Sequence, residues 1–287
     1  MKAGTTFLRS YFSHHPNIEW YRNAIVFLSD TFERSTYLDN FENTGHSKCI
    51  VDMYEGLAIG FINHCRSDEI RHRFTPDYTV DGNQLEPSIE KIALRIKDTL
   101  PHTKILISIR NQIDWLRSYY GHYILKLPKR NRTLHDLLST FDGKCALYAG
   151  NYYGLIKTYI KVFGRDFVHV IVLEELKTNP REALEKLCHF MEVDYVEFPA
   201  ERQKLNKAKP SGQRHIIKLL ASIGISAEHF AKYSPIYKKY ADTIYQLFSH
   251  DILTKHEISM LHSFYSISNY HLSGLIDVDL KQFGYPL

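Results

Sequence analysis

Apolar residues recur along this chain in two alternating rhythms, one suited to helices and one to short buried strands. Over residues 6–12, Phe7, Leu8, Tyr11 and Phe12 fall on one face at helical spacing, and His14-His15-Pro16 ends the run. Residues 49–51 (Cys-Ile-Val) predict a short strand. The clearest helix is predicted over 87–100, where Ile89, Ile92, Ala93, Ile96 and Leu100 form one stripe and Pro87 suits the first turn. Pro101 stops it. Residues 104–109 (Lys-Ile-Leu-Ile-Ser-Ile) then predict a buried strand, and a second helix follows over about 113–125. The unit recurs further on. A helix is predicted over 151–163 with a terminating Gly164, a strand over 167–173, and a new helix opened by Asn179-Pro180 with a cap and a first-turn proline.

Strands alternating with helices of this length imply a parallel sheet flanked by helices on both faces. That is an α/β, three-layer architecture, read here as one domain over 1–287. In such sheets ligands bind outside the carboxyl ends of the strands. The C-terminal third reads as helical and aromatic-rich, with the patterns over 216–223 and 236–248 suited to packing over the sheet.

Composition narrows the classes further. With 44% hydrophobic and 24% charged residues, disorder is not the expectation. No apolar run approaches the roughly 18–20 residues of a membrane-spanning helix, and no signal-peptide pattern is present. A net charge of +4 and a pI near 8.7 suit anionic nucleotides or acidic glycans, and suit plain solubility equally. The four cysteines (Cys49, Cys65, Cys145, Cys188) include no C-x-x-C pair, so neither a zinc knuckle nor a redox motif is indicated. Cys49 and Cys188 lie in apolar runs and are expected to be buried thiols in a reducing, cytoplasmic setting.

Two segments carry candidate chemistry. Lys2-Ala3-Gly4-Thr5-Thr6 immediately precedes the first helix. Gly4 lets backbone N–H groups approach a phosphate, the helix N-terminus adds free amides and partial positive charge, the threonines add hydroxyls and Lys2 a full charge. A Walker A loop differs, because its lysine follows the last glycine and its next hydroxyl holds Mg²⁺. A threonine-capped chain start is the plain alternative. The second segment is Arg110-Asn111-Gln112 at the carboxyl end of the 104–109 strand, with Ser118 eight residues after Arg110 in the following helix. A guanidinium and a hydroxyl at that spacing can converge on one phosphate. A salt-bridged arginine is the alternative there.

Taken together, about 100 residues apart, the two segments resemble the 3′-phosphoadenosine 5′-phosphosulfate (PAPS)-dependent sulfotransferase family, which has a P-loop NTPase-like fold. The resemblance implies that Lys2, Ala3, Gly4, Thr5 and Thr6 bind the donor's 5′-phosphosulfate, and that Arg110 and Ser118 bind its 3′-phosphate. Phe163-Gly164, Glu174-Glu175-Leu176, Asn179-Pro180 and the ending with Phe283-Gly284-Tyr285-Pro286 are similar to later family segments, so the likeness spans nearly the whole chain. Lys209 and Arg214, with Lys207 and Ser211, stand where the family has a late basic loop that contacts the donor. Three departures are visible. The family's first strand precedes the phosphate loop, whereas only Met1 precedes Lys2, so either the chain is an incomplete gene product or the sheet lacks that strand. Gln112 stands where proline is usual, with little effect expected because glutamine also begins a helix. Trp115 stands where a second basic residue is frequent.

The resemblance further implies a sulfuryl transfer from PAPS, as donor substrate, to a hydroxyl or amine, without a metal. Lys2 is expected to stabilise the leaving phosphate. Glu55, after the short 49–52 segment, is the candidate base, as in the glycan-type branch; a carbohydrate acceptor is favoured accordingly. A small-molecule branch uses histidine, which keeps His64 and His72 as rivals, with Asp52 and Asp77 behind them. The basic run Lys126, Lys129, Arg130 and Arg132 reads as a solvated loop or an acceptor contact. His14-His15 lacks a third ligand at a recognisable spacing, so no metal site is expected. The partners expected are the nucleotide donor and the acceptor, with no nucleic acid. Two other classes stay open: a P-loop kinase or nucleotide hydrolase, and a nucleotide-binding relative that transfers nothing.

Overall fold

In the computed structural model, which describes residues 5–21, 49–52, 85–123, 147–198 and 253–287, the alternation of helix and parallel strand is present. Helix α1 (Thr5–His14) leads into β1 (Ile18–Tyr21), which pairs in parallel with β2 (Cys49–Asp52), Ile18 opposite Cys49. Helix α2 (Leu85–Thr99) precedes β3 (Ile105–Ile109), and α3 (Gln112–Tyr123) follows it. Helix α4 (Tyr152–Phe163) ends at Gly164, whose φ of +94° only glycine adopts readily. Strand β4 (Val168–Val172) pairs in parallel with β3, Ile105 opposite Val168. Then come the short α5 (Leu173–Thr178), α6 (Pro180–Met191) and the long α7 (Lys255–Ile276).

Side-chain alternation along β3 and β4 explains the layers. Ile107, Ile109, Val168 and Val172 join one buried cluster with Ile92, Ala93 and Ile96 of α2, Ile156 and Tyr159 of α4, and Leu272 and Ile276 of α7. Ile171 belongs to a second cluster with Leu8, Tyr11 and Phe12 of α1, Ile18 of β1, and Leu184 and Leu187 of α6, against which Leu106 also packs. Successive strand residues point to opposite faces, so the β3–β4 pair is sandwiched between two helical layers. Each fully buried aliphatic side chain contributes on the order of 1.5–3 kcal/mol to that arrangement.

Several expectations change in detail. Strand β1 was not predicted by the periodicity. Cys188 is buried as expected, but Cys49 is only partly so. Pro180 does occupy the first helical position of α6, yet Asn179 makes no side-chain cap; its amide donates instead to Glu182 at 2.5 Å. Residues 216–223 and 236–248 lie outside the described residues.

Candidate active site

Strand β3 delivers Arg110 at its carboxyl end, as a short apolar strand in a parallel sheet should. Arg110 is half-buried and its Nε is fully buried. Because β4 runs parallel to β3, its own carboxyl end lies alongside, and Glu174 in the first turn of α5 reaches across. Its Oε1 accepts from the Asn111 N–H at 3.3 Å, and its Oε2 accepts from the Tyr285 hydroxyl at 3.0 Å. The Tyr152 hydroxyl donates to the Arg110 carbonyl at 2.9 Å. Burial holds the Tyr152 and Tyr285 phenols above their ordinary value, and the Glu174 carboxylate adds to the effect at both. Both therefore remain donors at any physiological pH.

Asn111 starts the next helix. Its Oδ1 accepts from the backbone N–H groups of Ile113 at 3.0 Å and Asp114 at 3.3 Å, a side-chain cap on α3. Its Nδ2 donates to the Gly284 carbonyl at 2.5 Å and more weakly to that of Phe283 at 3.5 Å. Gly284 has φ +71°, the left-handed turn that brings this segment against Asn111. Ser118 lies seven residues after Asn111, two turns of helix, so the two share one side of α3. Its side chain is buried, at 8% exposure.

Gln112 does begin α3, and its side chain does more than start the helix. It is fully buried and forms a reciprocal amide pair with Asn269 of α7: Gln112 Nε2 to Asn269 Oδ1 at 2.6 Å, and Asn269 Nδ2 to Gln112 Oε1 at 3.1 Å. The remaining hydrogens go to the carbonyls of Gly150, at 3.1 Å, and Pro286, at 2.8 Å. All four amide hydrogens and both oxygens are thereby used, which is what burial of two amides requires. Trp115, in place of a basic residue, is buried at 3% exposure.

At the other candidate segment, α1 begins at Thr5, and its first turn carries no acidic side chain. Its free N–H groups and partial positive charge are thus not offset from within the helix. Leu8, Tyr11 and Phe12 anchor α1 in the second core cluster, and the turn after it is fixed by His15. The Asn17 N–H donates to His15 Nδ1 at 3.1 Å, so the ring proton is on Nε2 and is donated to the Asp194 carbonyl at 2.8 Å.

The structure thus puts Arg110 and Ser118 on one β3–α3 unit and Thr5 and Thr6 at a helix N-terminus. Lys2, Ala3, Gly4, Glu55, His64, His72, Asp77, Lys209 and Arg214, like the 126–132 basic run, lie outside the described residues. Asp52 closes β2. Among the described residues no group of three or more His, Cys, Asp or Glu side chains is arranged to hold a metal, and no helix is long and apolar enough to cross a membrane. No sequence motif marks a role for Asn269, Tyr285 or Glu174. One signal for Asn269 was available: it interrupts the otherwise apolar α7 stripe of Leu261, Tyr265, Leu272 and Ile276.

Comparison with known proteins agrees with this layout. A family model described as the sulfotransferase domain matches residues 1–234. The crystal structure of a sulfotransferase from Alicyclobacillus acidocaldarius superposes with a TM-score of 0.61, covering 99% of this chain and 95% of that one at 17% identity. At that identity the likeness is one of fold. No curated protein matches the chain.

Proposed function

This chain belongs to the sulfotransferase domain family, and from that premise we propose that it transfers a sulfuryl group from PAPS to a hydroxyl or amine, with a carbohydrate as the favoured acceptor. The observation that supports the donor most directly is the β3–α3 unit. A strand-end arginine is followed by a side-chain-capped helix that carries a largely buried serine two turns on. Arginine offers a planar fork that fits phosphate bidentately, and a serine hydroxyl adds a further donor.

In this reading Arg110 and Ser118 take the 3′-phosphate. Lys2, Ala3, Gly4, Thr5 and Thr6 take the 5′-phosphosulfate at the acid-free N-terminus of α1. Lys209 and Arg214 contact the nucleotide. The acceptor oxygen or nitrogen attacks sulfur in line, its new S–O or S–N bond forming as the bond from sulfur to the phosphate oxygen breaks. Glu55 takes the acceptor's proton, and Lys2 offsets the charge that builds on the departing phosphate. Positioning and fixed positive charge supply most of the rate, as in phosphoryl transfer.

The test is transfer of labelled sulfate from PAPS to a panel of glycans, phenols and peptides. Lys2→Ala is expected to abolish transfer while the circular dichroism spectrum is retained. Glu55→Gln is expected to lower it by about 10²–10⁴-fold, the usual contribution of a general base. Undiminished transfer by the Lys2 variant would remove the basis of this reading.

A further inference from the structure

We propose that Asn111 is a positioning residue for the donor's 3′-phosphate, and that it works by clasping the segment Phe283–Pro286 against the end of β3. This rests on the reading of Arg110 and Ser118 as donor contacts. Four restraints hold the three residues after β3. The Arg110 carbonyl accepts from Tyr152, the Asn111 N–H donates to Glu174, the Asn111 amide grips Gly284, and Gln112 is locked to Asn269. Three of these four restraints reach the same distant segment. Asn111 touches it directly, Glu174 reaches it through the Tyr285 hydroxyl, and Gln112 reaches it through the bond from Asn269 to the Pro286 carbonyl.

The two ends of the Asn111 amide do different things. The oxygen caps α3 and so sets where Ser118 stands; the nitrogen holds Gly284 and so sets where the Arg110 backbone stands. One side chain thereby fixes the relation between the two groups that grip one phosphate. A bidentate grip tolerates little misplacement, and a shift of about 1 Å in a positioning group can lower the effect of the group it supports by about 10²-fold. The segment Phe283–Pro286 touches the nucleotide in no part of this scheme. It acts only through the strand end.

The experiment compares the affinities of the whole protein for 3′-phosphoadenosine 5′-phosphate and adenosine 5′-monophosphate, which differ only in the 3′-phosphate. Asn111→Ser keeps a cap oxygen for α3 but removes the amide donor. It is expected to lower the preference for the 3′-phosphorylated nucleotide about tenfold while leaving the affinity for adenosine 5′-monophosphate near wild type. Tyr285→Phe removes one hydroxyl from a folded core and is expected to lower the same preference a few-fold. If both variants keep the wild-type preference, or lose both nucleotides equally, Asn111 and the segment are structural only and the proposal is overturned. Arg110→Lys, run alongside, separates the two ideas. A wild-type protein without the preference, or a lysine variant that retains it fully, overturns the donor reading and this inference with it.

Discussion

A β-carbon on Gly150 would lie 2.7 Å from the Tyr265 hydroxyl, and Tyr265 cannot retreat. It is fully buried, and its hydroxyl donates to the Leu147 carbonyl at 2.6 Å. Gly150→Ala is therefore expected to cost about 1–3 kcal/mol of stability by overpacking, read as a lower urea midpoint at unchanged slope. His169 makes a pH prediction. Burial, helped by the positive charge of Arg165, lowers its pKa from 6.5 to about 4, and the ring stacks on Phe190 at 5.0 Å. The unfolded chain therefore binds this proton more readily than the folded one. The stability that the neutral ring secures is complete above about pH 6.5 and is lost as pH falls towards 4. His169→Phe should flatten that limb of a plot of Tm against pH; an unchanged limb would assign acid sensitivity elsewhere. Individual residues were legible in the sequence where an apolar run marks their place, as it does for Arg110 at the end of β3. Gln112 and Asn269 were not, because an amide's worth depends on its partner, and the partner here lies 157 positions away.

Helix α7 starts with a complete capping box. The Thr254 hydroxyl accepts from the Glu257 N–H at 3.2 Å, and the Glu257 carboxylate accepts from the Thr254 N–H at 2.6 Å. Thr254→Ala is expected to lower stability by about 1 kcal/mol, visible as a fall in Tm, with Thr254→Ser close to wild type. Helices α2 and α4 were readable from their apolar residues and their stops at Pro101 and Gly164, and α6 from Asn179-Pro180 at its start. Strand β1 was not. Its four residues, Ile18-Glu19-Trp20-Tyr21, are too few to show a period, and what makes them a strand is pairing with β2, which no local pattern reports. Asn179 illustrates the converse error. Asn179 stands in the cap position before Pro180, but its side chain makes no cap bond, and its amide donates to Glu182.

At the scale of the molecule, strand–helix alternation announced the three layers, and the two core clusters on either face of β3 and β4 are their physical form. Of the two candidate donor motifs, the strand-end position of Arg110 and the helix position of Ser118 were legible in the sequence, whereas Lys2, Ala3 and Gly4 lie outside the described residues. What holds one of those motifs in place was not legible, because it comes from the far end of the sequence. That distance also orders events during synthesis. Asn111 and Gly284 are separated by 173 positions, so the ribosome delivers Arg110 to the cell well before the carbonyl that Asn111 grips has been made. Closing so long a loop is slow relative to local folding. A nascent chain therefore carries the arginine first and its clasp much later, and a stall after β4 has been made leaves the end of β3 without the carbonyl that Asn111 grips.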